Sequence, residues 1–142
     1  MRALFDVNAL ITLFQPSHVH HQAAHEWLLG NGKHARATYP ITENGFIRIL
    51  SNPRYPLPQS PATAVQLLGL AKHSADHRFW PNAIALTDST IFDVAHLNNH
   101  GQVTDISLLA TAVVNGGRLV TFDRKIRAAA VTGCRLESLV IL

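Results

Sequence analysis

The stretch VTDISLLATAVVNGGRLVTFD, residues 103–123, decides the fold. From Asp105 to Asn115 it predicts the most hydrophobic helix of the chain, introduced by Thr104 and stopped by Gly116-Gly117. Residues 119–122 then predict a strand that ends on Asp123. The start of the chain has the same grammar. Residues 2–6, Arg-Ala-Leu-Phe-Asp, predict a short strand closing on Asp6, and residues 8–14 predict a helix that stops before Pro16.

Between these ends, strands and helices alternate. Ser17 is the expected cap of a helix over residues 18–29, closed by Gly30, Asn31 and Gly32, and residues 35–39 form the next strand. After Pro40, Thr42 is placed to cap a helix over residues 43–50, with Phe46, Ile47 and Leu50 on one stripe and Asn52-Pro53 as its stop. Ser60-Pro61 opens a helix that runs to Lys72. A strand follows over residues 77–80, then a short helix over residues 89–97, and residues 138–142 supply a last strand. This alternation predicts an α/β sandwich around a mainly parallel sheet. The whole chain, 1–142, reads as one domain.

Composition narrows the class. A single cysteine, Cys134, excludes an internal disulfide and any Cys-rich zinc site, and reads as a small buried apolar residue. Asp6 interrupts the first apolar stretch too early for a signal peptide, and no uncharged run is long enough to span a membrane. The expectation is a soluble, cytoplasmic protein. The formal charge of +3, with Arg118, Arg124, Lys125 and Arg127 around one acid, suits an anionic partner such as a nucleic-acid backbone, although an acidic protein or simple solubility accounts for it as well.

Against that basic background, four of the nine acidic residues, Asp6, Glu43, Asp105 and Asp123, lie beside apolar strands and helix starts. Each taken singly fits an ordinary role as helix cap or first-turn acid. Together they fall on one rim, because ligands of open α/β sheets collect at the carboxyl ends of strands and the helices that follow start there. Four carboxylates on one rim repel unless a cation sits among them. Hard oxygen ligands select Mg2+ or Mn2+, in one ion or two, and such ions serve phosphodiester hydrolysis by neutralising phosphate charge and lowering the pKa of bound water. An anionic substrate enters an acidic pocket only with metal.

The words around these acids, FDVNALI, TENGFIRILSNPRY from Thr42, HRFWP and VTDISLLATAVVNGGRLVTFD, resemble the PIN-domain nucleases and, within them, the VapC toxins of bacterial toxin–antitoxin pairs. The resemblance covers nearly the whole chain. It implies a three-layer α/β/α fold, Mg2+- or Mn2+-dependent endoribonuclease activity, a homodimer, and neutralisation by a small cognate antitoxin. It maps Asp6, Glu43, Asp105 and Asp123 onto the family's catalytic, metal-binding quartet, and Asn8 and Thr121 onto supporting polar positions. Asn8 stands where many relatives carry Ser or Thr. By the same analogy, an antitoxin helix would occupy an apolar groove supplied by Leu10, Leu13, Phe14, Phe46 and Leu50, or these are plain core residues.

Rival readings are weaker. His18, His21 and His25 fall on one helical face, but Gln22 stands where a zincin helix needs a glutamate, so a solvated or partner-contacting stripe is favoured over a zinc or nickel site. Trp27 and Trp80 read as core or dimer-interface aromatics. A phospho-receiver needs an Asp in mid-chain, yet none occurs between Asp6 and Asp76, and a Mg2+-dependent phosphatase of the haloacid dehalogenase type would want Asp at Asn8. The alternative that keeps the fold is a PIN-like module that binds RNA or protein without cutting.

Overall fold

A computed structural model describes residues 1–31, 35–73 and 76–142. In chain order it contains β1 (Ala3–Phe5), α1 (Val7–Phe14), α2 (His21–Asn31), β2 (Arg36–Thr38), α3 (Pro40–Leu50), α4 (Pro61–Lys72), β3 (His77–Phe79), α5 (Val103–Val114), β4 (Arg118–Thr121) and β5 (Leu139–Ile141). The five strands form one sheet in the order β3-β2-β1-β4-β5, and every pair is parallel.

Successive strand residues point to opposite faces, and the two apolar clusters follow that alternation. Leu4 and Leu119 face α5, packing with Ile106, Leu109 and Ala112. Ala3, Phe5 and Val120 face the other way, against Leu10 of α1, Leu28 of α2, Phe46 of α3 and Leu68 of α4. The result is the expected α/β/α sandwich. Chain direction explains the split: the sheet grows outward from β1 through β2 to β3, then the chain crosses back to add β4 on the other side of β1. Crossovers of one hand must place helices on opposite faces when the direction of growth reverses. The reversal makes the gap between β1 and β4 a topological switch point, where a crevice opens beyond the strands' carboxyl ends.

Several boundaries differ from expectation for local reasons. Helix α2 starts at His21 and not at His18: residues 15–20 form turns in which the Gln15 carbonyl accepts from His18 N–H and His18 Nδ1 accepts from His20 N–H, so Ser17 caps nothing. The helix also runs through Gly30 to Asn31, and Gly32 lies outside the described residues. Helix α3 starts at Pro40, whose missing N–H costs nothing at a first helical position. Thr42 is therefore inside the helix, and its hydroxyl accepts from Tyr39 N–H at 3.2 Å.

Residues 89–97 form no α-helix. Asp88 accepts from the Thr90 N–H and hydroxyl, Asp93 accepts from Ala95 N–H, and only a 3-10 turn at Val94–His96 results. Short acidic side chains have taken the backbone donors a helix would use. Phe92, buried, instead bridges to Val131 in antiparallel fashion. Trp80 is core as expected, seated against Gly117, where an added Cβ would lie 2.6 Å from both the Trp80 ring and the Arg2 carbonyl. Cys134 is only half-buried.

Candidate active site

Asp6 follows β1 directly and caps α1, its Oδ1 accepting from Ala9 N–H at 2.6 Å. It is 6% exposed. Its other oxygen accepts from the Thr121 hydroxyl at 2.5 Å, across the β1–β4 seam. The same Thr121 oxygen accepts from Asp123 N–H at 2.9 Å, so one hydroxyl at the end of β4 ties the two strand-end acids together. Asp123 then turns its Oδ1 to Lys125 N–H, fixing the loop that follows. Asp105 enters from the opposite layer, in the first turn of α5.

The charges of these three acids are felt mutually. Burial pushes the Asp6 carboxyl above the ordinary carboxylate range; hydrogen bonds from Thr121, Ala9 and the Asn8 N–H oppose the rise, and the Asp123 charge adds to it. Asp105 is pushed up to about 6, first by burial and then by the negative charges of Asp6 and Asp123. Among the described residues, no ion pair neutralises any of the three. The switch-point crevice thus concentrates negative charge that no ion pair among the described residues balances.

Glu43 stands apart from this trio. Its Oε1 accepts from the Thr38 hydroxyl at 2.5 Å and pairs with Lys72 Nζ at 2.5 Å, while His77 Nε2 lies 2.9 Å from the same Thr38 oxygen. Lys72 also lies over the Phe79 ring, 5.0 Å from its centre. The repulsion that raises Asp105 comes from Asp6 and Asp123 and not from Glu43. Among the described residues, no three His, Cys, Asp or Glu side chains are gathered closely enough to hold one ion. The trio still fits a hard divalent cation by its chemistry: carboxylate oxygens, excess negative charge, and no ion-paired cation among the described residues.

The PIN domain family model matches residues 3–131. The chain belongs to the PIN domain family. It is 44% identical to Ribonuclease VapC44 of Mycobacterium tuberculosis over 142 residues, all of both chains. It is 42% identical to Ribonuclease VapC39 of the same organism over 134 residues, 94% of this chain and 96% of that one. Ribonuclease VapC38, also from M. tuberculosis, is 41% identical over 122 residues, 85% of this chain and 84% of the relative. The resemblance to VapC-type PIN nucleases expected from the motifs is borne out.

In this PIN domain two histidines of the expected stripe bond the backbone. His21 Nδ1 donates to the Thr12 carbonyl at 2.6 Å and His25 Nε2 donates to the Leu13 carbonyl at 3.0 Å. Both imidazoles therefore bond carbonyls at the carboxyl end of α1, His21 sharing the Thr12 oxygen with the Gln15 N–H at 3.4 Å. His18 is not on that helix and faces His20 instead, ring centres 5.7 Å apart. Of the two readings of the apolar set, the core reading holds for Leu10, Phe46 and Leu50, which are buried. Phe14 and Leu50 border a small apolar pocket of about 130 Å³ with Leu57 and Leu67. No helix among the described residues is long and apolar enough to cross a membrane.

Sequence reasoning missed Lys72, Thr38 and His77 as companions of Glu43. One signal was present: β2 and β4 both end in threonine, and each of those hydroxyls holds a carboxylate of the expected quartet, Thr38 holding Glu43 and Thr121 holding Asp6.

Proposed function

We propose that this PIN domain, a single nuclease domain over residues 1–142, is a Mg2+- or Mn2+-dependent endoribonuclease acting as the toxin of a toxin–antitoxin pair. The observation that carries the reading is that Asp6, Asp105 and Asp123 lie near enough at the β1–β4 switch point for the charges of Asp6 and Asp123 to raise Asp105, with no neutralising ion pair among the described residues. The ribonuclease names of its full-length relatives support the substrate class.

Asp6, Asp105 and Asp123 would hold the ion, with Glu43 completing the set once released from Lys72. When bound, such an ion neutralises phosphate charge and supplies an ionised water at neutral pH. The chain's own contribution is preorganisation. Thr121 and the Ala9 N–H fix both oxygens of Asp6, and Thr121 fixes the Asp123 backbone, so two ligand positions are set before any ion arrives. Asp105, raised to about 6, takes up a proton only as pH falls through that value when no cation is present, and a cation would favour its ionised form further. Exposed Arg124, Lys125 and Arg127, next to Asp123, would meet the RNA backbone.

A cytoplasmic setting, a homodimer and a cognate antitoxin belong to the same reading. The non-catalytic alternative draws on one observation, the engagement of Glu43 by Lys72. One assay separates them. Purified protein should cut single-stranded RNA with Mg2+ or Mn2+, stop in EDTA, and lose at least about a hundredfold in rate on Asp6→Asn, Glu43→Gln or Asp123→Asn. Folded wild type that never cuts RNA with either ion would favour the binding module.

A further inference from the structure

We propose that the cleft beside the acid cluster receives one unpaired nucleobase of the RNA, stacked on the His20–Phe122 ring pair. This rests on the ribonuclease reading and names the form of RNA that reading admits. The cleft has a volume of about 300 Å³ and is bordered by Asn8, His18, His20, Tyr55 and Phe122. Its place follows from the chain: Asn8 lies two residues after Asp6, with its N–H directed to the Asp6 carboxylate, and Phe122 directly precedes Asp123. A base seated here belongs to a nucleotide next to the acids.

The lining suits a base better than an aliphatic side chain. The His20 ring stacks on Phe122 with centres 4.6 Å apart and planes 28° from parallel, and His20 is exposed, so an incoming planar ring extends an existing stack. The exposed Asn8 amide offers both a donor and an acceptor for a base edge. No acid lines the cleft, and the exposed Arg48 and Arg54 adjoin its wall residues Ile49 and Tyr55 in sequence, a charge that suits flanking phosphates. A base inside a duplex presents no free face to such a stack, so the substrate must be single-stranded at this position.

The test uses fluorescein-labelled single-stranded RNA octamers and a blunt RNA duplex, with binding read by anisotropy in Ca2+ and cleavage read in Mg2+. His20→Ala and Phe122→Leu should each weaken octamer binding about fivefold to a hundredfold and raise KM more than they lower kcat. Duplex binding should be unchanged. His20 is exposed, so its variant stays informative if Phe122→Leu folds poorly. Wild type that cuts RNA while both folded variants bind the octamer as tightly would overturn this inference and spare the parent reading. So would variants that lose only inhibition by a co-expressed protein partner, which would assign the cleft to that partner. Wild type that neither binds nor cuts RNA would remove both.

Discussion

Neutralising Asp105 should stabilise the metal-free protein, and the amount follows from the site. Asp105 rises from an ordinary 3.8 to about 6 in the fold, so ionising it at pH 7.5 would cost about 3 kcal/mol if it were fully screened from water. Half-exposed, it feels a fraction of that, about 1 kcal/mol after solvent screening. A first-turn acid also favours its helix dipole, which returns about 0.5 kcal/mol to the wild type. The net gain for Asp105→Asn is thus about 0.5 kcal/mol, or ~2 °C in Tm for a chain of this size. The pH dependence is the sharper signature. A carboxyl raised on folding gives stability that is present below its unfolded pKa and is lost as pH rises through its folded value, here from about 4 to about 6. Differential scanning calorimetry in EDTA at pH 4.5 and 7.5 should therefore show the variant's advantage shrinking or reversing at the lower pH. An Asp105→Asn protein that melts below wild type at pH 7.5 would refute the argument from repulsion and burial.

Three further outcomes follow from the geometry. His25→Ala, which removes the imidazole from the Leu13 carbonyl, should cost about 1 kcal/mol in urea unfolding, His21→Ala should cost less because the Gln15 N–H still donates to the Thr12 carbonyl, and zinc should raise the Tm of wild type no more than that of the double variant. Lys72→Met removes the partner of Glu43 and should lower the urea midpoint by about 0.5 M, a loss that Glu43→Gln in the same chain should largely repair. Gly117→Ala forces a Cβ to 2.6 Å from a backbone carbonyl and from the Trp80 ring, and should destabilise by about 2 kcal/mol, seen as red-shifted tryptophan emission with a lower Tm.

The sheet and its helices were legible because apolar runs and their stops coincide: Gly116-Gly117 after α5, Pro61 at the start of α4, and Thr121-Phe122-Asp123 at the end of β4 each mean one thing locally. The segment 89–97 misled because its apolar spacing suits a helix while Asp88 and Asp93 spend their oxygens on nearby backbone donors. Helix α2 was misplaced for a related reason, since His18 and Gln15 hold a turn that spacing does not reveal. At the candidate site, Asp6, Asp105 and Asp123 stand out in the sequence as acids beside apolar words. The pairing of Glu43 with Lys72 was not, because the two are 29 positions apart and meet only through the packing of α3 on α4.

Mn2+ binding tests most directly whether the switch-point acids close on a divalent cation. Electron paramagnetic resonance titration of EDTA-stripped wild type should find one or two bound Mn2+ per chain, displaced by excess Mg2+. Asp6→Asn, Asp105→Asn and Asp123→Asn should each weaken that binding at least about tenfold, and Glu43→Gln should weaken it too if Glu43 leaves Lys72 for the ion. Unchanged Mn2+ stoichiometry and affinity in a folded Asp6→Asn, Asp105→Asn double variant would contradict the metal-site proposal.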